Sequence, residues 1–171
     1  AKLNAVASKY FSLRERASRL RSDFALEPII SELASEILTA LGYPMHARSS
    51  KPIEVEPGVT IPVALEMTRP NGAPWMWAIL CRNASDDDDI MQSVRFHTRW
   101  HGFADEETGY SPENAAAELT HMSNEELLSK VLFGMDEPPR WVMFIGLQQI
   151  ALIDRNKWNK KRFLVFQLDE I

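Results

Sequence analysis

Val6, Tyr10, Leu13, Ala17 and Leu20 recur at three- and four-residue spacing, which predicts an amphipathic helix over residues 5–22. Arg14, Arg16, Arg19 and Arg21 run among them and give it a basic flank, either a solvated face or one turned toward phosphate. A second helix is predicted from Glu27 to Leu41, with Ile30, Leu33, Ile37, Leu38 and Leu41 as its apolar stripe. Pro28 suits the first turn of that helix, where a missing N–H costs nothing, and Gly42 supplies a C-terminal stop. Glu32 and Glu36 stand one turn apart and project from one side, mainly into solvent, with a metal role as the alternative.

Beyond Gly42 the period shortens. "KPIEVEPGVTIPVALEM", residues 51–67, alternates short apolar runs with Pro and Gly and reads as strands and turns. "VALEMT" and "WMWAILC" flank Asn71-Gly72, a strong hairpin-turn pair, so they form a β-hairpin that carries the acid Glu66 on its first strand. Period two puts Trp75 and Trp77 on one strand face, where they cap a core or stack on bases, and Met76 and Ala78 on the other. Asp86 to Asp89 form a run of like charge whose self-repulsion predicts a solvated loop. His97 and His101 are four apart and would share a helix face, but a zinc site needs at least one further ligand. Ser123 and Glu126 make a capping box for a short helix that Gly134 closes. Three strands follow: "RWVMFIGL", "QIALIDR" and "RFLVFQL". The first two are nearly continuous apolar runs, as expected of strands covered on both faces. The order of elements predicts an α/β or α+β fold, a mixed β-sheet flanked by helices, in one domain over residues 1–171.

Composition agrees with that class. The chain has 171 residues, 45% hydrophobic and 25% charged. A domain of this size buries roughly 70% of its unfolded surface and needs no disulfide or metal staple. The single cysteine, Cys81, falls in a predicted strand, which fits a buried thiol and a reducing, cytoplasmic setting. No apolar run approaches the roughly 20 residues of a membrane span, and no secretory signal is present. The net charge of −5 gives no global attraction to nucleic acid, so such contact needs a local basic face. "RNKWNKKR", between the last two strands, is the densest candidate: Arg155, Lys157, Lys160, Lys161 and Arg162 surround Trp158. Such a loop either holds phosphate and stacks on sugar or base, or is a solubilising turn. If it holds phosphate, charge reversal at Lys160 and Lys161 weakens DNA binding and flattens its salt dependence. The chain starts at Ala1 and stops within a strand-like run, from which a fragment of a longer protein is expected.

Pro139 to Ile171, "PRWVMFIGLQQIALIDRNKWNKKRFLVFQLDEI", resembles a segment of large bacterial restriction–modification proteins that carry a fused adenine-specific DNA methyltransferase. The likeness lies in the strand ending Leu152-Ile153-Asp154-Arg155, the Lys157-Trp158 pair and the strand ending Leu168-Asp169-Glu170-Ile171. Ser123–Phe133 fits the same pattern, and Ala64–Leu80 fits it more loosely. The resemblance implies an N-terminal accessory domain that precedes a methyltransferase domain using S-adenosylmethionine, with DNA or that domain as partner. It also implies a nuclease-like, restriction-endonuclease-type fold of the PD-(D/E)xK kind. There carboxylates hold Mg²⁺ to activate water, and a lysine stabilises developing charge. Glu66 would take the first-strand position and the metal, with Glu32 or Glu36 contributing from the helix. The second strand lacks its acid and lysine, since Leu80 stands where the acid belongs. Cleavage is therefore expected to be absent or doubtful, with an active Mg²⁺-dependent endonuclease or a non-enzymatic interaction domain as alternatives. Methyltransferase chemistry itself cannot reside in these residues, which hold neither a Gly-rich cofactor loop nor an Asn/Asp-Pro-Pro-aromatic motif.

Overall fold

The computed structural model describes residues 2–47, 52–57, 59–96, 119 and 121–170. Helix α1 runs over Lys2–Ser18 and helix α2 over Asp23–Ala40. A small hairpin, β1 (Pro52–Glu56) and β2 (Val59–Pro62), precedes the main sheet. That sheet comprises β3 (Leu65–Thr68), β4 (Pro74–Leu80), β5 (Trp141–Ile145), β6 (Gln149–Asp154) and β7 (Phe163–Gln167), in that spatial order. Helix α3 (Asn124–Lys130) lies between β4 and β5 in the chain, and the short α4 (Arg155–Trp158) between β6 and β7. Only β4 and β5 run parallel; the other neighbours are antiparallel, so the fold is α+β around a mixed sheet.

Strand alternation sorts the core into two layers. Leu65, Met76, Ala78, Leu80, Met143, Ile145 and Ile150 face α1 and α2, where Tyr10, Leu13, Ile30, Leu33 and Leu38 meet them. Trp77, Ile79, Cys81, Val142, Phe144, Ala151 and Ile153 face the other way, toward Leu127, Leu128 and Leu132 and the β1–β2 hairpin. Both faces of β4, β5 and β6 are thus covered, which explains their apolar runs. Full burial of a side chain such as Phe144 contributes roughly 1.5–3 kcal/mol.

Helix α2 begins earlier than its sequence suggests. The N–H groups of Ala25 and Leu26 donate to the Ser22 carbonyl, so Pro28 sits inside the helix, exposed, rather than in its first turn. At the far end Gly42 has φ +88°, and the bonds Gly42 N–H to Thr39 and Tyr43 N–H to Leu38 form a Schellman motif. The chain leaves the helix there, so Leu41, expected in the apolar stripe, is 50% exposed.

The β3–β4 connection is a three-residue loop, Pro70-Asn71-Gly72, rather than a two-residue Asn-Gly turn. Gly72 N–H donates to Arg69, Arg69 N–H donates to Ala73, and only Gly72 takes positive φ, +83°. The register shifts between Met67 and Thr68, leaving Trp75 as the extra residue of a bulge. Trp75 therefore leaves the alternation: it packs on the α1–α2 side beneath Arg69, whose guanidinium lies 4.7 Å from the ring centre. Trp77 is buried on the other side, so the two indoles form no common stacking face.

A buried amide ties the end of β4 to the β5–β6 turn. Asn83 Oδ1 accepts from the N–H groups of Gln148 and Gln149, at 3.2 and 2.8 Å, while its Nδ2 donates to the Asp88 carbonyl and Gln149 Oε1. The aspartate run is more ordered than its charge suggests. The Asp88 carboxylate accepts from Ala84 and Ser85 N–H, Asp89 from Met91 N–H, and Asp86 pairs with Arg14 at 2.6 Å.

Candidate functional site

The three candidate acids do not converge. Glu66 stands opposite Trp77 in the β3–β4 ladder, on the face away from α1 and α2. It is half-buried, and burial pushes its carboxyl above the usual carboxylate range. Glu32 and Glu36 lie on α2, which covers the opposite face. There Lys9 bridges them at 2.8 and 3.8 Å, and Arg16 reaches Glu32 at 3.5 Å. The hydrogen bond from Lys9 holds the Glu32 carboxyl below its usual range. Leu80, where a second-strand acid would belong, is a buried core residue. Among the described residues no group of three or more His, Cys, Asp or Glu side chains could hold a metal ion. His97 and His101 lie outside the described residues.

The arginines in and just after α1, which ends at Ser18 short of the predicted residue 22, are largely engaged. Arg14 pairs with Asp86 and Asp169, Arg16 with Glu32, Arg19 with Glu15, and Arg21 donates to the Ser18 and Leu20 carbonyls. The basic flank predicted from their spacing is therefore neutralised within the chain over most of its length.

The loop after β6 is built differently. Asp154 caps α4 by accepting from Asn156 N–H at 2.9 Å, and its carboxylate takes both arms of Arg140, at 2.7 and 3.1 Å. The Arg140 guanidinium holds the Asp154 carboxyl below its usual range. Trp158 is buried, donates its indole N–H to Ser129 Oγ at 3.2 Å, and meets Phe133 and Phe163 at ring-centre distances of 6.0 and 6.1 Å. Lys161 covers the ring with Nζ 4.3 Å from its centre and pairs with Glu125 at 2.7 Å. The indole is thus an anchor in the core rather than an open stacking platform. Arg155 donates to the Pro138 carbonyl at 3.2 Å.

Lys161 takes the left-handed conformation, φ +52°, and the bonds Lys161 N–H to Trp158 and Arg162 N–H to Lys157 close the turn. Lys157, Lys160 and Arg162 are left exposed around this fixed turn. Of the six residues singled out in the loop, three are engaged in holding it and three project their charge from it.

A second polar feature escaped the sequence. Arg95, buried, donates to Asn124 Oδ1 at 3.2 Å and to the Leu119 carbonyl, while Asn124 Nδ2 donates to the Ile90 carbonyl at 2.7 Å. Burial lowers the Arg95 guanidinium to about 10 and pushes the neighbouring Cys81 thiol up to about 12. The bridge between Cys81 and Arg95 creates this pair, and nothing in their sequence spacing signals it.

No family model, curated protein or solved structure matches the chain. Among the described residues no helix is long and apolar enough to cross a membrane.

Proposed function

We infer that the chain is an accessory, nuclease-like domain of a DNA restriction–modification enzyme, which contacts DNA phosphate through the loop after β6. The observation that carries this reading is the exposure of Lys157, Lys160 and Arg162 on a turn anchored by Trp158, while the arginines in and just after α1 are paired with carboxylates or backbone. Cations presented on an ordered turn neutralise phosphate and release its condensed counterions, the main source of sequence-independent affinity. The resemblance of Pro139–Ile171 to restriction–modification proteins supports the setting, in which the downstream methyltransferase domain would supply S-adenosylmethionine chemistry. Mg²⁺-dependent cleavage is not part of this reading, because Glu66 and the acids of α2 occupy opposite sides of the sheet.

Duplex DNA binding over a salt series tests it. Lys157→Glu together with Arg162→Glu weakens binding and lowers the slope of log K against log salt by about 0.9 for each phosphate that is no longer neutralised. Unchanged affinity and slope in that variant, or no salt-dependent binding by the unmodified chain, would remove the loop from the function.

A further inference from the structure

Strand β7 forms one edge of the main sheet, and no strand among the described residues pairs with its outer side. Natural sheets protect such an edge with charge, proline, a bulge or a very short strand, because free N–H and C=O groups template pairing with another chain. None of these devices occurs in β7. Its sequence is Phe-Leu-Val-Phe-Gln, its register with β6 is unbroken, and Leu164, Val165 and Phe166 are 58, 39 and 43% exposed. Leu164 and Phe166 stand opposite Leu152 and Ile150, on the α1–α2 side, whereas Val165 stands opposite Ala151 on the other. Beside Phe166 an apolar groove of about 550 Å³ opens between α1, α2 and the sheet, with exposed Phe11 and Leu41 along it.

We propose that β7 joins two copies of this chain, paired antiparallel about a two-fold axis at Val165, so that their sheets merge into one. The flanking charges select a second copy in this orientation. Exposed Lys160 and Arg162 precede the strand and exposed Glu170 follows it, while Lys161 and Asp169 pair within the chain with Glu125 and Arg14. Antiparallel pairing brings the basic turn before each strand, with exposed Lys160 and Arg162, near the single 3₁₀ turn Leu168–Glu170 that ends the other strand and exposes Glu170 of the partner subunit. Parallel self-pairing would set like charges side by side. In the antiparallel register Leu164 meets Phe166 of the partner subunit, so each two-fold-related pair buries apolar surface on the groove side, and Val165 meets its own copy on the opposite face. The main-chain bonds supply the pairing and the side chains its register. Lys160 and Arg162 also belong to the loop read above as the DNA contact, so the oligomeric state is measured in the absence of DNA and the two readings are tested separately.

Sedimentation of the 171-residue chain over a range of concentrations decides the question. The unmodified chain should form a dimer whose fraction rises with concentration, and Leu164→Lys with Phe166→Lys should abolish it while leaving the circular dichroism of the fold intact. Lys160→Glu and Glu170→Lys should each weaken the dimer by about fivefold to tenfold, since each sets like charges near one another at both ends of the strand pair, and the combined variant should restore it. A chain monomeric at every concentration, a dimer indifferent to the lysine substitutions, or charge reversals without mutual rescue would overturn the proposal. If the lysine variant fails to fold, the charge-reversal pair decides alone.

Discussion

Glu66 and Trp77 face each other across β3 and β4, on the side of the sheet that α1 and α2 do not cover. This position leaves the carboxyl half-buried and raises its pKa above the ordinary 4.5. The unfolded chain therefore ionises this group more readily than the folded one. The carboxylate lowers stability progressively as the pH rises from about 4.5 to the higher folded value, and the deficit persists above it. Glu66→Gln removes the charge and retains the size, so the variant should gain stability over the unmodified chain across that window and keep the gain at neutral pH. Urea unfolding at a series of pH values measures it. A difference between the two proteins that stays constant with pH would show that the Glu66 charge is not being relieved.

Trp158 divides core from surface in the basic loop. Its ring is held by Phe133, Phe163, Ser129 and Lys161, so Trp158→Ala should cost about 3–5 kcal/mol, the range for deleting a large aromatic from a core. Lys157→Glu and Arg162→Glu, at exposed positions, should each change stability by no more than about 0.5 kcal/mol. Denaturant midpoints of the three variants test this contrast. A mild effect of Trp158→Ala would return the indole to the surface as a contact residue.

Much of this fold was legible because local rules and packing agree. Ser123 and Glu126 form both halves of their capping box, and the apolar runs of β5 and β6 are covered on both faces as their composition requires. The sequence misleads where one residue disturbs a period. The bulge at Trp75 separates two indoles that period two places together, and the Schellman turn at Gly42 leads Leu41 out of its stripe. At the candidate site, residue type located the basic loop but could not tell Trp158, a core anchor, from the lysines around it. Helix spacing put Glu32 and Glu36 on one side, yet which side of the sheet α2 covers is a tertiary fact. The bond from Asn83 to the backbone of Gln148 and Gln149 spans 65 and 66 residues, a distance over which no local pattern speaks.

The Arg140–Asp154 pair should govern part of the acid response. Asp154 has its pKa lowered from the ordinary 3.8, first by the hydrogen bond from Arg140. A depressed folded value means that its stabilisation is fully present above 3.8 and is lost as the pH falls toward the folded pKa. Asp154→Asn should therefore be less stable than the unmodified chain at neutral pH, with the gap closing as the pH drops below 3.8. Thermal unfolding between neutral pH and pH about 2.5 reads the convergence. Parallel curves throughout that range would mean that the loss does not come from the ionised carboxylate.

Gly146 is required by a close approach rather than by backbone conformation. A Cβ built there would lie 2.5 Å from the Asn83 Cβ and 2.7 Å from its Oδ1, a separation that real side chains do not adopt. Asn83 is buried, and its Oδ1 accepts from two backbone N–H groups in the turn that follows Gly146, so it cannot move aside without leaving those donors unpaired. Overpacking of this kind costs about 1–3 kcal/mol, and each buried donor left without a partner adds roughly 1–3 kcal/mol. Gly146→Ala should therefore be destabilised by about 2–4 kcal/mol, with a lower urea midpoint and an unchanged slope. Asn83→Gly removes the obstructing Cβ as well as the acceptor. In that background the alanine at 146 should cost far less than in the unmodified chain, a coupling that a double-mutant cycle measures directly. Additive effects of the two substitutions would mean that Gly146 is needed for something other than the approach of Asn83.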